Sequence, residues 1–434
     1  MTNKKKILFF LVLFLVVSPW NTSVVAQNKN ANEHIGSLIN QNNLFELSRE
    51  YPKHQHTIEP ALSVLTEVLL YNANNQIDKA LDAIKDLVTN HQELGFNPVM
   101  NMIVLWGKLL IRKGDYNEAY QLIDNQLNNP VVQEYASKEL LLQMNNVHTQ
   151  AKALKNCPKS RIERGISDCV IPLIDGNQIP AKVNGTEALF IFDTGADGPA
   201  FVSKQFALEH RIKIFPQVIA TSGTVKTGET NIGFIDSLEI GNVVYRNFWT
   251  LVSPDNRIFH NDTVIAEVDA VLGRHFMDDI GEIHFLPTEN KIIFPLTPSV
   301  NEVKKNILLI NGQPYIEVFI NRKKYPLHLD TGGGIALYPI YYKENKSWVI
   351  QHGVEDTLGM GGFGGSKRFP IYSIPSMKIS IAGISTLLED VPVFIGDDFN
   401  FAKNNYGMLG MDVLSRFYKV IFNFKDMYLK IERL

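Results

Sequence analysis

Cysteine is scarce in this chain: two residues in 434, Cys157 and Cys169. That excludes a disulfide-dense scaffold and a four-cysteine zinc site. Neither charge sign dominates. Lys and Arg total 42 against 45 Asp and Glu, a net charge of −3, so no strongly basic balance points to nucleic acid. Beyond the N-terminus no apolar run is long enough to cross a membrane. No His-Glu-x-x-His segment marks a zinc protease, and no serine-centred nucleophile elbow occurs. Histidines such as His275, His284 and His328 show no paired ligand spacing and read as packing or surface residues, so neither a metal nor a cofactor is expected. What is abundant is apolar surface. Hydrophobic residues make up 45% and charged ones 20%, enough to bury a substantial core and to exclude disorder. The length suggests two to four domains.

The first 26 residues read as an address. Lys4, Lys5 and Lys6 precede an unbroken apolar run from Ile7 to Val17, which Pro19 ends. Val24 and Ala26 then supply small side chains before Gln27. This is the pattern of a cleavable secretory signal cut after Ala26, and it predicts a secreted or periplasmic protein. Cys157 and Cys169 would then meet oxidising conditions. Bridged, they would close a short loop and contribute roughly 3 kcal/mol; two free thiols are the alternative.

Residues 27–155 have helical periodicity. Leu62, Leu65, Val68 and Leu69 share one face, as do Ala80, Ala83, Ile84 and Leu87. After a break at Gly95 to Pro98, Val104, Leu105, Leu109 and Leu110 begin another helix. Gly114-Asp115-Tyr116 is a turn, with Ala119, Leu122 and Ile123 beyond it. The segment Leu105-Trp106-Gly107 with Gly114, Tyr116 and Ala119 resembles a tetratricopeptide-like array of helical hairpins. Such arrays present a groove to protein partners; a helical pro-segment or packing domain is the other reading.

Past a linker at 156–165 the texture becomes short, β-branched and aromatic, an all-β signature. Phe190 and Phe192, Val243 to Tyr245, Ile292 to Phe294, Ile379 to Ile381 and Val420 to Phe424 lie in such runs. The decisive feature is a duplication. Ala188-Leu189-Phe190-Ile191-Phe192-Asp193-Thr194-Gly195-Ala196 is answered by Tyr325-Pro326-Leu327-His328-Leu329-Asp330-Thr331-Gly332-Gly333. Asn184 and Asn321 each precede the aspartate by nine residues, and Val271-Leu272-Gly273 and Met408-Leu409-Gly410 each end 80 residues after it. Glycine-rich hairpins fall between, around Gly223 and Gly228 and from Gly359 to Gly365. Each copy closes with a strand pair, Ile283 to Phe294 and Lys419 to Ile431.

These motifs resemble those of the retropepsin and pepsin class of aspartic proteases, in a single-chain, two-lobed form covering roughly Gly165 to Leu434. The resemblance implies an all-β bilobal fold after the α-helical hairpin array, with one lobe at 166–300 and another at 301–434. It implies catalytic aspartates Asp193 and Asp330, one from each lobe. Thr194 and Thr331 would lock the two loops together, with Gly195 and Gly332 letting the backbone turn behind each carboxylate. Two carboxyl groups held about 3 Å apart share one proton, so one can act as base toward water while the other acts as acid toward the scissile carbonyl. Gly223, Gly228, Gly361, Gly362 and Phe363 would belong to flaps that close over a peptide or protein substrate. Ala196 and Gly333 carry no hydroxyl where pepsin-like enzymes often have one, which predicts a less acidic optimum than that of gastric enzymes. Arg274, after Gly273, resembles a structural brace. The string Gly359 to Gly364 matches a dinucleotide fingerprint, but the following residues read as strand rather than helix. The other functional readings are a peptide-binding module without turnover, and a scaffold whose working part is the helical array.

Overall fold

The computed structural model describes residues 22–222, 227–254, 257–260, 263–298, 304–362, 365–396 and 405–433. The charged and apolar parts of the expected signal, together with Gly223 and Phe363, lie outside the described residues. Among those residues no helix is long and apolar enough to cross a membrane.

Helices occupy the chain from Thr22 to Leu154, and strands dominate from Arg161 onward. The helices form where the apolar period places them. Pro60 opens the helix Pro60–Ala73 at a position where its missing N–H costs nothing. Gly114, at φ +76°, and Asp115 turn the chain between Phe96–Arg112 and Tyr116–Leu127. Ala80 and Ala119 are fully buried, and helices cross closely over such small side chains.

The β-rich part contains two large sheets, of eight and ten strands, and a five-stranded sheet. The duplication is visible as matched geometry. In the first large sheet, strand Thr186–Phe192 runs parallel to Ala270–Leu272, with Phe192 opposite Leu272. In the second, Lys323–Asp330 runs parallel to Gly407–Gly410, with Leu329 opposite Leu409. Asn184 (φ +47°) and Asn321 (φ +50°) sit in the tight turns that feed these two strands, a left-handed conformation that Asn tolerates well. The closing strand pairs of both copies meet in the five-stranded sheet, where Ile283 stands opposite Phe422. One apolar core runs through both copies, with Phe190, Phe192, Leu327, Leu329 and Phe422 buried in it. Cys169 belongs to that core, its thiol donating to the Ile240 carbonyl at 3.2 Å, while Cys157 packs beside the helices; both thiols are free.

The helical region spends its apolar faces on the sheets. Ile103, Val104, Met144 and Val147 share a cluster with Ile219, Ile232, Phe234, Trp249 and Leu251 of the first sheet. Farther toward the N-terminus, Ile35, Leu44, Phe45 and Leu47 cluster with Leu308 and Tyr315 of the second. Polar bonds fix the register. Asn146 exchanges two hydrogen bonds with the backbone of Ala220, at 3.1 and 3.2 Å. Arg49 bridges to Glu317 at 2.9 Å. Most buried is Arg112, whose guanidinium meets Asp278 at 3.1 Å and Asp279 at 2.9 Å and donates to the His275 carbonyl. Burial opposes its charge, but Asp279 and Asp278 outweigh burial and hold it firmly protonated.

Truncating one member of a buried charge network leaves the others uncompensated. Arg112→Ala is therefore expected to destabilise the protein by about 3 kcal/mol, read as a lower denaturant midpoint in chemical unfolding. A change below about 0.5 kcal/mol, the range of an ordinary surface substitution, would show that this contact does not hold helices to sheet.

Candidate active site

Asp193 and Asp330 each lie at the exit of a central strand, where the chain leaves the sheet and the loop is crossed by its counterpart. The structure brings the two loops together through a reciprocal set of bonds between residues 135 to 139 apart in sequence. The Thr194 hydroxyl donates to the Leu329 carbonyl at 2.7 Å and accepts from the Thr331 amide at 3.1 Å. The Thr331 hydroxyl donates to the Phe192 carbonyl at 2.7 Å and accepts from the Thr194 amide at 2.9 Å. Both threonines are fully buried, where each satisfied bond is stronger and each missing one more costly than in water.

The two carboxyls act directly on each other through hydrogen bonding and charge. Each also accepts from its own loop, Asp193 Oδ1 from the Gly195 amide at 2.7 Å and Asp330 Oδ1 from the Gly332 amide at 2.9 Å. Neither glycine has a left-handed φ, so a sharp turn is not why glycine is needed. The constraint is space. A Cβ on Gly195 would stand 2.5 Å from the Asp330 carboxyl carbon, and one on Gly332 would stand 2.6 Å from that of Asp193. Any side chain there would push the opposing carboxylate away. Gly273 and Gly410 meet a like limit, since a Cβ on either would lie 2.3 Å from a backbone oxygen of the adjoining loop, that of Gly198 or Gly333.

Burial raises the pKa of both carboxyls. For Asp193 the negative charge of Asp330 adds to burial and lifts it well above the ordinary value. For Asp330 the bonds from Asp193 and the Gly332 amide only partly offset burial. The pair therefore retains a proton at pH values where an isolated aspartate would be ionised. About 20% of the Asp330 side chain remains exposed, so water has access to the pair.

Around the pair the two copies differ. In the first, Arg274 is bonded to Asp197 at 2.9 Å and to the Gly312 carbonyl at 2.8 Å, and also pairs with Asp278. His275 reaches Asp197 at 3.1 Å. Burial alone would raise Asp197, but His275 and Arg274 pull it well below the usual carboxylate range. Since Gly312 lies in the turn before strand Gln313–Ile320, this cluster ties the first copy to the second, and Gln313 donates to the Gly195 carbonyl at 3.2 Å. In the second copy Met411 and Asp412 stand where Arg274 and His275 stand in the first, and Asp412 accepts from the Ile335 amide at 2.9 Å.

His328, two residues before Asp330, reads in the sequence only as a packing or surface residue. It is buried, lies 3.8 Å from the Asp330 carboxylate, and tilts against the Tyr315 ring. Burial pushes its pKa down to about 4, so it stands neutral beside the pair. The stability its neutral form confers is present above the unfolded value near 6.5 and falls as pH drops from there toward 4.

Of the expected flap residues, Gly228 lies on strand Thr227–Ile240 opposite Thr221, and Gly361 and Gly362 end strand Val354–Gly362, opposite Ser366 and Gly365. Both are antiparallel hairpins. Strand Gly365–Ile374 follows the glycine string, so the dinucleotide geometry, which needs a helix there, does not form.

Two stability measurements test this site. Thr331→Val keeps the shape but strands the Thr194 amide and the Phe192 carbonyl, and should cost about 1–3 kcal/mol. Asp193→Asn should do the reverse at neutral pH, raising stability by about 1 kcal/mol by removing one of two opposed charges. A carboxyl raised on folding makes the native state hold more protons, so its cost grows as pH climbs past about 4. The Asn gain should accordingly be larger at pH 7 than at pH 4. A gain independent of pH would mean the charges do not oppose each other.

Residues 179–276 match the sequence model of the family described as "Aspartyl protease". The matched stretch includes Asp193 through Gly273; Asp330 and the second copy lie beyond it. No curated protein matches the chain. Among solved structures, a retropepsin-like aspartic protease from Rickettsia conorii aligns at 16% identity, covering 31% of this chain and 93% of that one, with a TM-score of 0.21. Basic 7S globulin from soybean aligns at 10% identity over 62% of this chain and 97% of that one, with a TM-score of 0.40. Conglutin gamma, a basic 7S globulin from lupine seeds, aligns at 9% identity over 63% and 95%, with a TM-score of 0.38. Overlaps this loose carry no argument about this chain. The family match does: the first copy of the repeat has the sequence signature of aspartyl proteases.

Proposed function

We propose that the protein is an aspartic endopeptidase in which Asp193 and Asp330 jointly activate a water molecule against a peptide carbonyl. The observation that carries this reading is the half-buried Asp193–Asp330 carboxyl pair, both pKa values raised, flanked by the crossed Thr194 and Thr331 bonds. With one proton on the pair, the ionised carboxylate takes a proton from the water as its oxygen attacks the carbonyl carbon. The protonated partner gives its proton to the carbonyl oxygen. The resulting tetrahedral diol collapses, the C–N bond breaks, and a proton passes to the leaving amine. No covalent enzyme intermediate forms.

The hairpins bearing Gly228 and Gly361–Gly362 serve this reading as flaps that add backbone hydrogen bonds to an extended peptide. The N-terminal pattern ending at Ala26 supports export, with the enzyme working outside the cytoplasm on a peptide or protein substrate. The proposed division is a helical domain at 27–155 followed by lobes at 166–300 and 301–434. Because the helices bury apolar faces against both sheets, they act as a brace on the protease rather than as a groove left open to partners, whatever their likeness to tetratricopeptide hairpins.

Turnover of casein or a peptide library tests the proposal. Asp193→Asn and Asp330→Asn should each lower kcat/KM by roughly 10³-fold or more, while circular dichroism shows the fold intact. Peptide binding that survives in the wild type without any cleavage would favour a binding module instead. The rate maximum should lie above pH 3, since burial lifts both carboxyls and neither Ala196 nor Gly333 donates a stabilising hydroxyl. A maximum below pH 3 would contradict the expectation of an optimum less acidic than that of gastric enzymes.

A further inference from the structure

We propose that His34, Glu50 and His54 form a binding site for one divalent transition-metal ion, zinc foremost, which staples the first two helices together. The site is separate from the carboxyl pair and stands or falls independently of the protease reading.

Glu50 and His54 are one turn apart on helix Leu44–His54 and so share a face. His34 comes from the preceding helix, Thr22–Asn40, which packs against it. The three donor atoms all lie within 4.8 Å of one another. Glu50 Oε2 is 3.7 Å from His34 Nε2 and 3.8 Å from His54 Nε2. Those distances decide between two arrangements. A protonated imidazole bonded to a carboxylate closes to about 2.7–2.9 Å, and neither ring does so. Donors around a tetrahedral zinc, with bonds of about 2.0–2.1 Å, stand about 3.4 Å apart. The two carboxylate–imidazole spacings are within a few tenths of an ångström of that value, and the histidine donors, within 4.8 Å of each other, close to it by rotation of exposed side chains.

The donor chemistry agrees. Two imidazoles and one carboxylate are a common zinc set, with water completing the shell. Glu50 is already oriented: its Oε1 accepts from Lys53 at 2.6 Å, which leaves Oε2 turned toward both histidines. Lys53 thus acts as the outer partner that fixes a ligating carboxylate. His34 is 46% exposed and His54 32%, so an ion can enter from solvent and retain water. The expectation of no metal had a simple origin, since the third ligand lies 16 residues before Glu50 on another helix. Leu44, Phe45 and Leu47 of the second helix pack against Leu308 and Tyr315, so pinning the first helix to the second would also steady this face of the molecule.

Zinc chloride titrated calorimetrically into the intact, chelator-treated chain should show one site with a micromolar Kd. H34A and H54A should each weaken it by about tenfold or more, while H91A, at a half-buried histidine beside Asp86 and Glu93, should leave it unchanged. Cobalt(II) should give a visible ligand-field spectrum that is lost in H54A. Zinc should slow hydrogen exchange in residues 30–54 of the wild type but not of the H34A/H54A double variant. Should an alanine variant fold poorly, E50Q, which keeps the shape, should still lose affinity. Absence of binding at 100-fold above the expected micromolar range, or equal affinity in the double variant, would overturn the proposal and leave an adventitious surface ion only.

Discussion

Two carboxyl groups held close enough to share a proton repel each other whenever both ionise, and the molecule must resist that repulsion. The restraint is the crossed pair of threonines. Each hydroxyl both donates to and accepts from the opposite loop, so neither loop can withdraw without leaving buried donors and acceptors unpaired. The glycines complete the restraint by subtraction, because only a missing Cβ leaves room for the opposing carboxylate. Space, hydrogen bonding and charge are thus set by six residues in two runs of three, Asp193-Thr194-Gly195 and Asp330-Thr331-Gly332.

The rest of the fold converts that local lock into a rigid one. The five-stranded sheet joins both copies through Ile283 and Phe422, and the Asp197, Arg274 and Gly312 contacts cross between them on the first copy's side. The second copy lacks the arginine cluster and uses Asp412 on the Ile335 amide instead. Helices packed on both sheets add an outer brace, anchored by Arg112 on one side and by Arg49 with Glu317 on the other.

The sequence was most legible where structure is local. Alternation at Phe190 and Phe192 in Thr186–Phe192, the apolar run ending Lys323–Asp330, and asparagines in the turns before both strands follow from strand pleating, burial and backbone strain. The matched motifs were visible because one chemistry had to be encoded twice. Distant pairings were not legible. Nothing near Arg112 announces Asp278 and Asp279, about 166 residues later, and helical periodicity marks an apolar face without naming what covers it. Helix Pro339–His352 went unread because few of its residues are buried, Pro339, Tyr341 and Val349 among them, and Asn345 interrupts its backbone geometry. His328 sits in a β-run as a chemically distinct residue, yet only the fold reveals that it stands neutral beside Asp330.

The central claim is a single proton held jointly by Asp193 and Asp330. Carbon-13 NMR of the chain labelled at aspartate carboxyl carbons, titrated from pH 3 to 8, measures it directly. The account predicts a coupled pair of signals, one of which ionises well above the ordinary aspartate value near 4, with the coupling abolished when either residue is replaced by asparagine. Two independent titrations at or below that ordinary value would contradict it.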